Sequence, residues 1–259
     1  LGNALTVDYD DDADGDADDT YWMDYSSTGQ ITMMTYDAGA DGFPDEVHNY
    51  RYDSADRMVH YGWDYGADGI EDFVISYTYD GAGNLVRSEL DEDGNQIVDE
   101  AAWSTFDANG NELVYNYDSD GDGQPNEQIF FSYNGDDNLT VYEWDSNADG
   151  HIDYSSTRTY DSDGAYVGYD RDEDNDGDVD YRLTYVNNAD GLLVQLFEDT
   201  DADGRVDLSE ALTYNVDGYA ISHDWDDGDN GSIDSGWDAV CLGSADDLDL
   251  DAMVLEHTF

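Results

Sequence analysis

A marker glycine returns at a fixed interval through most of the chain: Gly15, Gly42, Gly69, Gly123, Gly150, Gly177, Gly204 and Gly231, spaced 27 residues apart except for one double gap. Gln96 stands at the midpoint of that gap, and its flanks Asp91, Asp93, Asn95 and Asp99 keep the pattern. The chain therefore holds nine units of 27 residues in one phase. A period of this length means one supersecondary unit stacked on copies of itself, which cannot bury its apolar face alone.

Each unit opens with a loop of the form D-x-[DNG]-x-[DN]-G-x-x-[DN], numbered here as loop positions 1 to 9. The first loop carries Asp10, Asp12, Asp14 and Asp18. The second carries Asp37, Asp41 and Asp45, and the third Asp64, Asp68 and Asp72, with Gly39 and Gly66 at position 3. The fourth has Asp91, Asp93, Asn95 and Asp99, and the fifth Asp118, Asp120, Asp122 and Asn126. The sixth has Asp145, Asn147, Asp149 and Asp153, and the seventh Asp172, Asp174, Asp176 and Asp180. The eighth has Asp199, Asp201, Asp203 and Asp207, and the ninth Asp226, Asn230 and Asp234 with Gly228 at position 3.

Alternate carboxylates followed by Gly form the opening half of a calcium loop, because the backbone curls and brings positions 1, 3 and 5 onto one ion. Position 9 adds a further ligand, and Gly at position 6 permits the sharp turn. The bidentate Glu of an EF-hand is missing, since Tyr21, His48, Ile75 and Ile129 stand in its place, and Glu210 is the sole match. Hard oxygen donors without His or Cys favour calcium over zinc or copper. Random surface acidity has no reason to keep a repeat phase, so the expectation is about one Ca2+ per unit, up to nine.

Between loops the pattern has period two. Counted from the marker Gly, slots +4, +6, +8 and +10 are mostly apolar or aromatic, as in Tyr181, Leu183 and Tyr185. A turn follows, typically Asp/Asn-x-x-Gly as at Asp80–Gly83 and Asp107–Gly110. A second alternating run then places Val59, Tyr61 and Trp63 at slots +17, +19 and +21. Such alternation predicts two half-buried strands per unit, hence an all-β antiparallel meander of about eighteen strands. All acidic loops then share one edge, and the sheet must coil like a solenoid or pack on another copy. The repeat is read as one domain over residues 1–243, with a degenerate segment at 244–259.

Composition narrows the function classes. The chain has 66 Asp+Glu against 7 Lys+Arg and a net charge of −59; every cation is Arg, at Arg51, Arg57, Arg87, Arg158, Arg171, Arg182 and Arg205. That excess argues against nucleic acid, whose phosphates need basic partners, and against an anionic membrane surface. Disordered acidic chains are poor in aromatics, whereas this one has 22 Tyr and is 14% aromatic. No apolar run approaches a membrane span. The single Cys241 excludes a disulfide scaffold.

The loop D-x-D-x-D-G-x-x-D, as at Asp10 to Asp18, Asp172 to Asp180 and Asp199 to Asp207, resembles the calcium loops of thrombospondin type 3 repeats and of bacterial surface proteins with tandem aspartate-rich repeats. The cysteines of the thrombospondin type are absent, so only the ion site carries over. The run Tyr79-Asp80-Gly81-Ala82-Gly83-Asn84-Leu85 is similar to the YD repeat of Rhs and teneurin-type shells. That resemblance implies spiralling antiparallel hairpins, in agreement with the meander.

Catalytic patterns are missing. His48, His60, His151, His223 and His257 share no ligand spacing, and Cys241 reads as a small hydrophobe in an aromatic slot. Uniform repetition itself argues against an enzyme. The sequence begins at Leu1, midway through a unit, and Ser244–Phe259 loses the phase, which reads as a mature or excised product. Leu248, Leu250, Ala252 and Val254 are positioned to supply a strand to the next copy, giving end-to-end filaments. The expectation is a calcium-stabilised, non-enzymatic, extracellular or cell-surface protein: a fibre subunit or stalk. Two alternatives stand beside it. One is an adhesin or carbohydrate-binding module using aromatic stripes; the other is a fragment of a toxin-encapsulating shell.

Overall fold

The computed structural model describes residues 5–11, 13–228 and 233–238. Asp12, Asn230, Cys241 and the segment 244–259, with its filament strand, lie outside the described residues. Eighteen strands form an antiparallel meander, with no helix among the described residues. Contacts divide the chain into two compact units: Leu1–Ile129 with Ser146–Asp149, and Phe130–Asp145 with Gly150–Phe259.

The first unit holds β1 (Leu5–Tyr9), β2 (Asp19–Tyr25), β3 (Ile31–Ala38), β4 (Glu46–Tyr52), β5 (Met58–Tyr65), β6 (Phe73–Tyr79), β7 (Leu85–Asp91), β8 (Glu100–Phe106) and β9 (Glu112–Asp118). The boundary falls in β10 (Glu127–Tyr133). The second unit holds β11 (Leu139–Asp145), β12 (Tyr154–Tyr160), β13 (Tyr166–Asp172), β14 (Tyr181–Asn187), β15 (Leu193–Asp199), β16 (Leu208–Tyr214), β17 (Ala220–Asp227) and β18 (Ser235–Asp238). Acidic loops join β1 to β2, β3 to β4 and so on, while the short turns join β2 to β3, β4 to β5 and onward. Within each unit the two kinds of connection therefore occupy opposite edges.

The turns are closed by their first residue. Asp80 Oδ1 accepts from the N–H groups of Ala82 at 2.9 Å, Gly83 at 2.7 Å and Asn84 at 2.9 Å. Asn134, Asn188 and Asn215 accept the equivalent bonds through Oδ1. Gly83 takes φ +105°, which a side-chain-bearing residue rarely adopts.

The alternation predicted for the first strand of each unit is complete in β14, whereas in β2 and β8 the buried residue is Thr20 or Ala101, at slot +5. In β14, Tyr181, Leu183 and Tyr185 are buried while Arg182, Thr184 and Val186 are exposed. Tyr166, Tyr169, Leu193 and Leu196 pack against them to form the core of the second unit. The face of the first unit is an aromatic ladder of half-buried rings. Tyr21 stacks on Tyr36 at 4.8 Å, Tyr50 lies 5.3 Å from Tyr61, and His48 is nearly parallel to Trp63 at 5.7 Å. Such cross-strand pairs stabilise a sheet by about 0.2–1 kcal/mol each.

The second strand departs from expectation at one slot. Slots +19 and +21 face the ladder, as Tyr61 pairs Tyr50 and Trp63 pairs His48. Nearer the turn the register slips by one residue in seven hairpins, always between slots +9 and +10. Arg51 pairs His60 but Tyr52 pairs Met58, so Val59 at slot +17 is the bulged residue. In three hairpins slot +16 is the inward position instead: Ala220, only 1% exposed, occupies it, as do Tyr166 and Leu193, whereas Leu85 at the same slot is exposed. Leu113 at slot +17 is 36% exposed. A bulge lets two residues oppose one, and the period-two count breaks there.

Candidate metal centres

The largest fully buried side chains of the described residues are carboxylates. Asp37, Asp118 and Asp145, each at loop position 1, are 1% exposed, and Asp64, Asp91, Asp199 and Asp226 are buried too. A buried carboxylate demands strong compensation. Part of it comes from the loop backbone. Oδ2 accepts the N–H of position 6: from Gly42 to Asp37 at 2.8 Å, Gln96 to Asp91 at 2.8 Å, Gly123 to Asp118 at 2.8 Å and Gly204 to Asp199 at 2.9 Å. In several loops Oδ1 takes the N–H of position 5, as from Asp68 to Asp64 at 3.0 Å. Burial pushes the Asp118 carboxyl up, but N–H bonds from Gly123, Asp120 and Gly121 outweigh it, so Asp118 rests below the ordinary carboxylate value. The short ion pairs do not involve position 1: they are Arg57–Asp53 at 2.6 Å, Arg182–Asp170 at 2.7 Å, and Arg87–Glu89 and Arg171–Glu173, both at 2.8 Å.

Two further bonds set the loop. The position-5 side chain accepts from position 7, as Asp41 from the Phe43 N–H at 3.0 Å and Asp203 from the Arg205 N–H at 2.9 Å. The position-9 side chain reaches back to position 2, as Asp18 to the Asp11 N–H at 2.7 Å, Asp72 to the Tyr65 N–H at 2.7 Å and Asp234 to the Asp227 N–H at 2.8 Å. In the sixth loop Gly150 donates to Asp145 at 2.8 Å, and Asp149 donates to Asn147 at 3.0 Å.

Four loops bring three carboxylates together. Asp91, Asp93 and Asp99 form one group, and Asp118, Asp120 and Asp122 a second. Asp172, Asp174 and Asp180 form the third, and Asp199, Asp201 and Asp203 the fourth. In each, one oxygen per residue lies within 4.8 Å of the others. Within these groups, Asp199 Oδ1 and Asp172 Oδ1 are buried and accept no hydrogen bond. Asp199 is 6% exposed, so this is a partnerless oxygen withdrawn from water. These triads could hold a metal ion. Asp10, Asp14 and Asp18 stand in the first loop beside the undescribed Asp12, and Asp45, Asp153, Asp176, Asp207 and Asn126 occupy their expected loop positions.

Two features of the loops escape the sequence. Position 4 is left-handed, at φ +58° in Ala13, +46° in Ala40, +50° in Ala67 and +47° in Ala202. In the fourth and fifth loops position 4 is glycine, left-handed as well at φ +66° and +67°, and close approach adds a second reason for it. A Cβ on Gly94 would lie 2.0 Å from the Glu71 carbonyl oxygen, and one on Gly121 2.0 Å from that of Val98. Consecutive loops therefore stack backbone on backbone there. Glu71 also breaks the repeat, since loop position 8 is elsewhere Ala, Pro, Val or Ile. Its carboxylate lies over Gly62 and accepts from Asn49 Nδ2 at 3.1 Å, with His60 Nε2 at 3.0 Å. It fills the space that Gly62 leaves, and its oxygens are engaged.

The fold and loops define a class: an all-β repeat of hairpins with aspartate triads at the hairpin ends. No family model and no curated protein matches the chain. Among solved structures, the chain is similar to the crystal structure of TcdB2-TccC3-Cdc42, with a TM-score of 0.59, 13% identity and 85% of this chain covered. The chain spans 12% of the length of that one. Matches also include a Photorhabdus luminescens Tc holotoxin pore, at a TM-score of 0.31 and 15% identity over 85% of this chain and 13% of that one. A porin-like protein from Bacteroides uniformis matches at 0.36 and 13%, over 90% of this chain and 91% of that one. The first likeness is one of fold alone; the other two are too distant to bear on the argument.

Proposed function

We propose that the chain is a calcium-ordered structural repeat protein of the cell surface or extracellular space, a wall, fibre or stalk element without catalytic activity. The observation that carries this reading is the buried, partnerless Oδ1 of Asp199 in its triad. Three carboxylates crowded together repel unless a cation sits among them. A set of carboxylate oxygens without His or Cys suits the many-oxygen, flexible coordination of Ca2+ better than the N/S ligation of Zn2+ or the rigid octahedron of Mg2+. Multi-carboxylate loops of extracellular modules bind calcium in the range of about 0.1–1 mM, so the ion would be supplied outside the cell.

Calcium bound to the folded form alone adds to its stability by mass action, about 2.7 kcal/mol per site at a hundredfold excess over Kd. Melting followed by circular dichroism in millimolar calcium and in EDTA tests the reading. A rise of several degrees with calcium is the expected result; superimposable curves count against it.

A second reading is a segment of a larger toxin-encapsulating shell. The fold likeness to TcdB2-TccC3-Cdc42 over 85% of this chain favours it, together with the YD-like turns.

A further inference from the structure

We propose that loop position 3 sorts the loops into two kinds: ion sites where it is aspartate, and metal-independent hydrogen-bonded brackets where it is glycine. The proposal rests on the calcium reading and narrows it from every loop to a subset.

The four carboxylate triads all fall in loops whose third residue is aspartate, at Asp93, Asp120, Asp174 and Asp201. These side chains are weakly held by the protein. Asp93 and Asp201 each accept one N–H at 3.2 Å, and Asp174 and Asp120 at 3.3 and 3.4 Å. Bonds that long contribute little. The third carboxylate is thus positioned but under-satisfied, beside position-1 oxygens that in Asp172 and Asp199 have no partner. An ion is the missing partner.

Glycine at position 3 does something different. Gly66 takes φ +96° and turns its N–H onto the Asp45 carbonyl of the preceding loop at 2.6 Å. Gly228, at φ +95°, bonds the Asp207 carbonyl in the same way. Gly39, at φ +80°, donates to Asp19 Oδ1 at 3.3 Å. Residues with a Cβ avoid φ near +90°, so aspartate would not adopt this conformation without strain. Loops with glycine at position 3 are therefore tied to what precedes them by a hydrogen bond, and loops with aspartate there are closed from within by a cation. Calcium withdrawal should loosen residues 91–126 and 172–207 and leave 37–72 closed.

Hydrogen exchange on the full chain, read by peptide in millimolar calcium chloride and in EDTA, tests this. Peptides spanning 91–99, 118–126, 172–180 and 199–207 should lose protection by about tenfold or more on chelation, against less than about twofold for 37–45 and 64–72. Equal loss in both sets overturns the sorting while leaving calcium binding intact. No change in any peptide, with no calorimetric heat of calcium binding, overturns the calcium reading and the sorting with it. Two variants give a second readout. Asp201→Ala should lower the calcium count by one, and Asp68→Asn should leave it unchanged. Asp201 accepts a single long N–H bond, and Asn keeps the acceptor that Asp68 uses, so both variants retain the loop. An ion lost in Asp68→Asn overturns the sorting.

Discussion

An aspartate that opens a turn collects amide protons, and the ionised form accepts them best. Bonds from Asn84 hold the Asp80 carboxyl below its usual value near 3.8, and the Asn111 side chain does the same for Asp107. Asp53 is lowered by Arg57. A folded value below the unfolded one means stabilisation that is present above the unfolded value and is lost as pH falls through the folded one. Stability in EDTA should therefore decline as pH drops below about 4, with denaturant midpoints between pH 5.5 and 2.5 as the measurement. Asp80→Asn should keep the turn, because Asn134, Asn188 and Asn215 already close theirs with the same bonds. Its acid slope should be shallower than that of the parent chain; an unchanged slope would remove Asp80 from the account. The phase of the carboxylates at positions 1, 3, 5 and 9 was legible at this scale, and four loops bring three of these residues together. The left-handed position 4 was not, since alanine at Ala13 or Ala67 carries no signature of positive φ.

At the scale of the hairpin, period two named the strands and the inward slots +4 to +10, and Tyr181, Leu183 and Tyr185 occupy them as read. It failed beside the turn, where a bulge moves the inward slot to +16 in the hairpins of Tyr166, Leu193 and Ala220. A bulge adds no residue type of its own to the sequence; it shows only as a broken alternation, which Val59 and Leu113 hide by being apolar while bulged. The loops carry a second prediction at this scale. Gly121→Ala places a Cβ within 2.0 Å of the Val98 carbonyl, and that backbone must move. Ala67→Gly meets no such contact and relieves a left-handed alanine at φ +50°. The first change should destabilise by about 1–3 kcal/mol and the second should be neutral or stabilising by up to about 1 kcal/mol. Urea titration of both variants at one calcium concentration checks the sign difference. If Gly121→Ala melts like the parent, loop does not rest on loop there.

For the whole molecule, the governing quantity is the charge of −59, and two lengths decide how salt acts on it. Equivalent loops within a unit are two strands apart, about 10 Å, and the Debye length at 0.1 M salt is also about 10 Å. Carboxylate oxygens within one triad lie inside 4.8 Å, well below that screening length. Sodium chloride therefore weakens repulsion between loops but leaves each triad nearly unscreened. Calcium acts on both, since an ion seated in the triad neutralises charge at its source. The melting temperature in EDTA should rise with sodium chloride and level off above about 0.3 M, where the Debye length is about half the loop spacing. Calcium at matched ionic strength should add a further increment that sodium does not reproduce. Magnesium should supply little of it, because it holds its water and demands a tighter octahedron. Melting temperature against ionic strength for the three chlorides separates the two effects. If magnesium and calcium curves coincide, general screening is sufficient and the triads are not selective sites; if sodium alone reaches the calcium plateau, repulsion between loops is the whole of the charge effect.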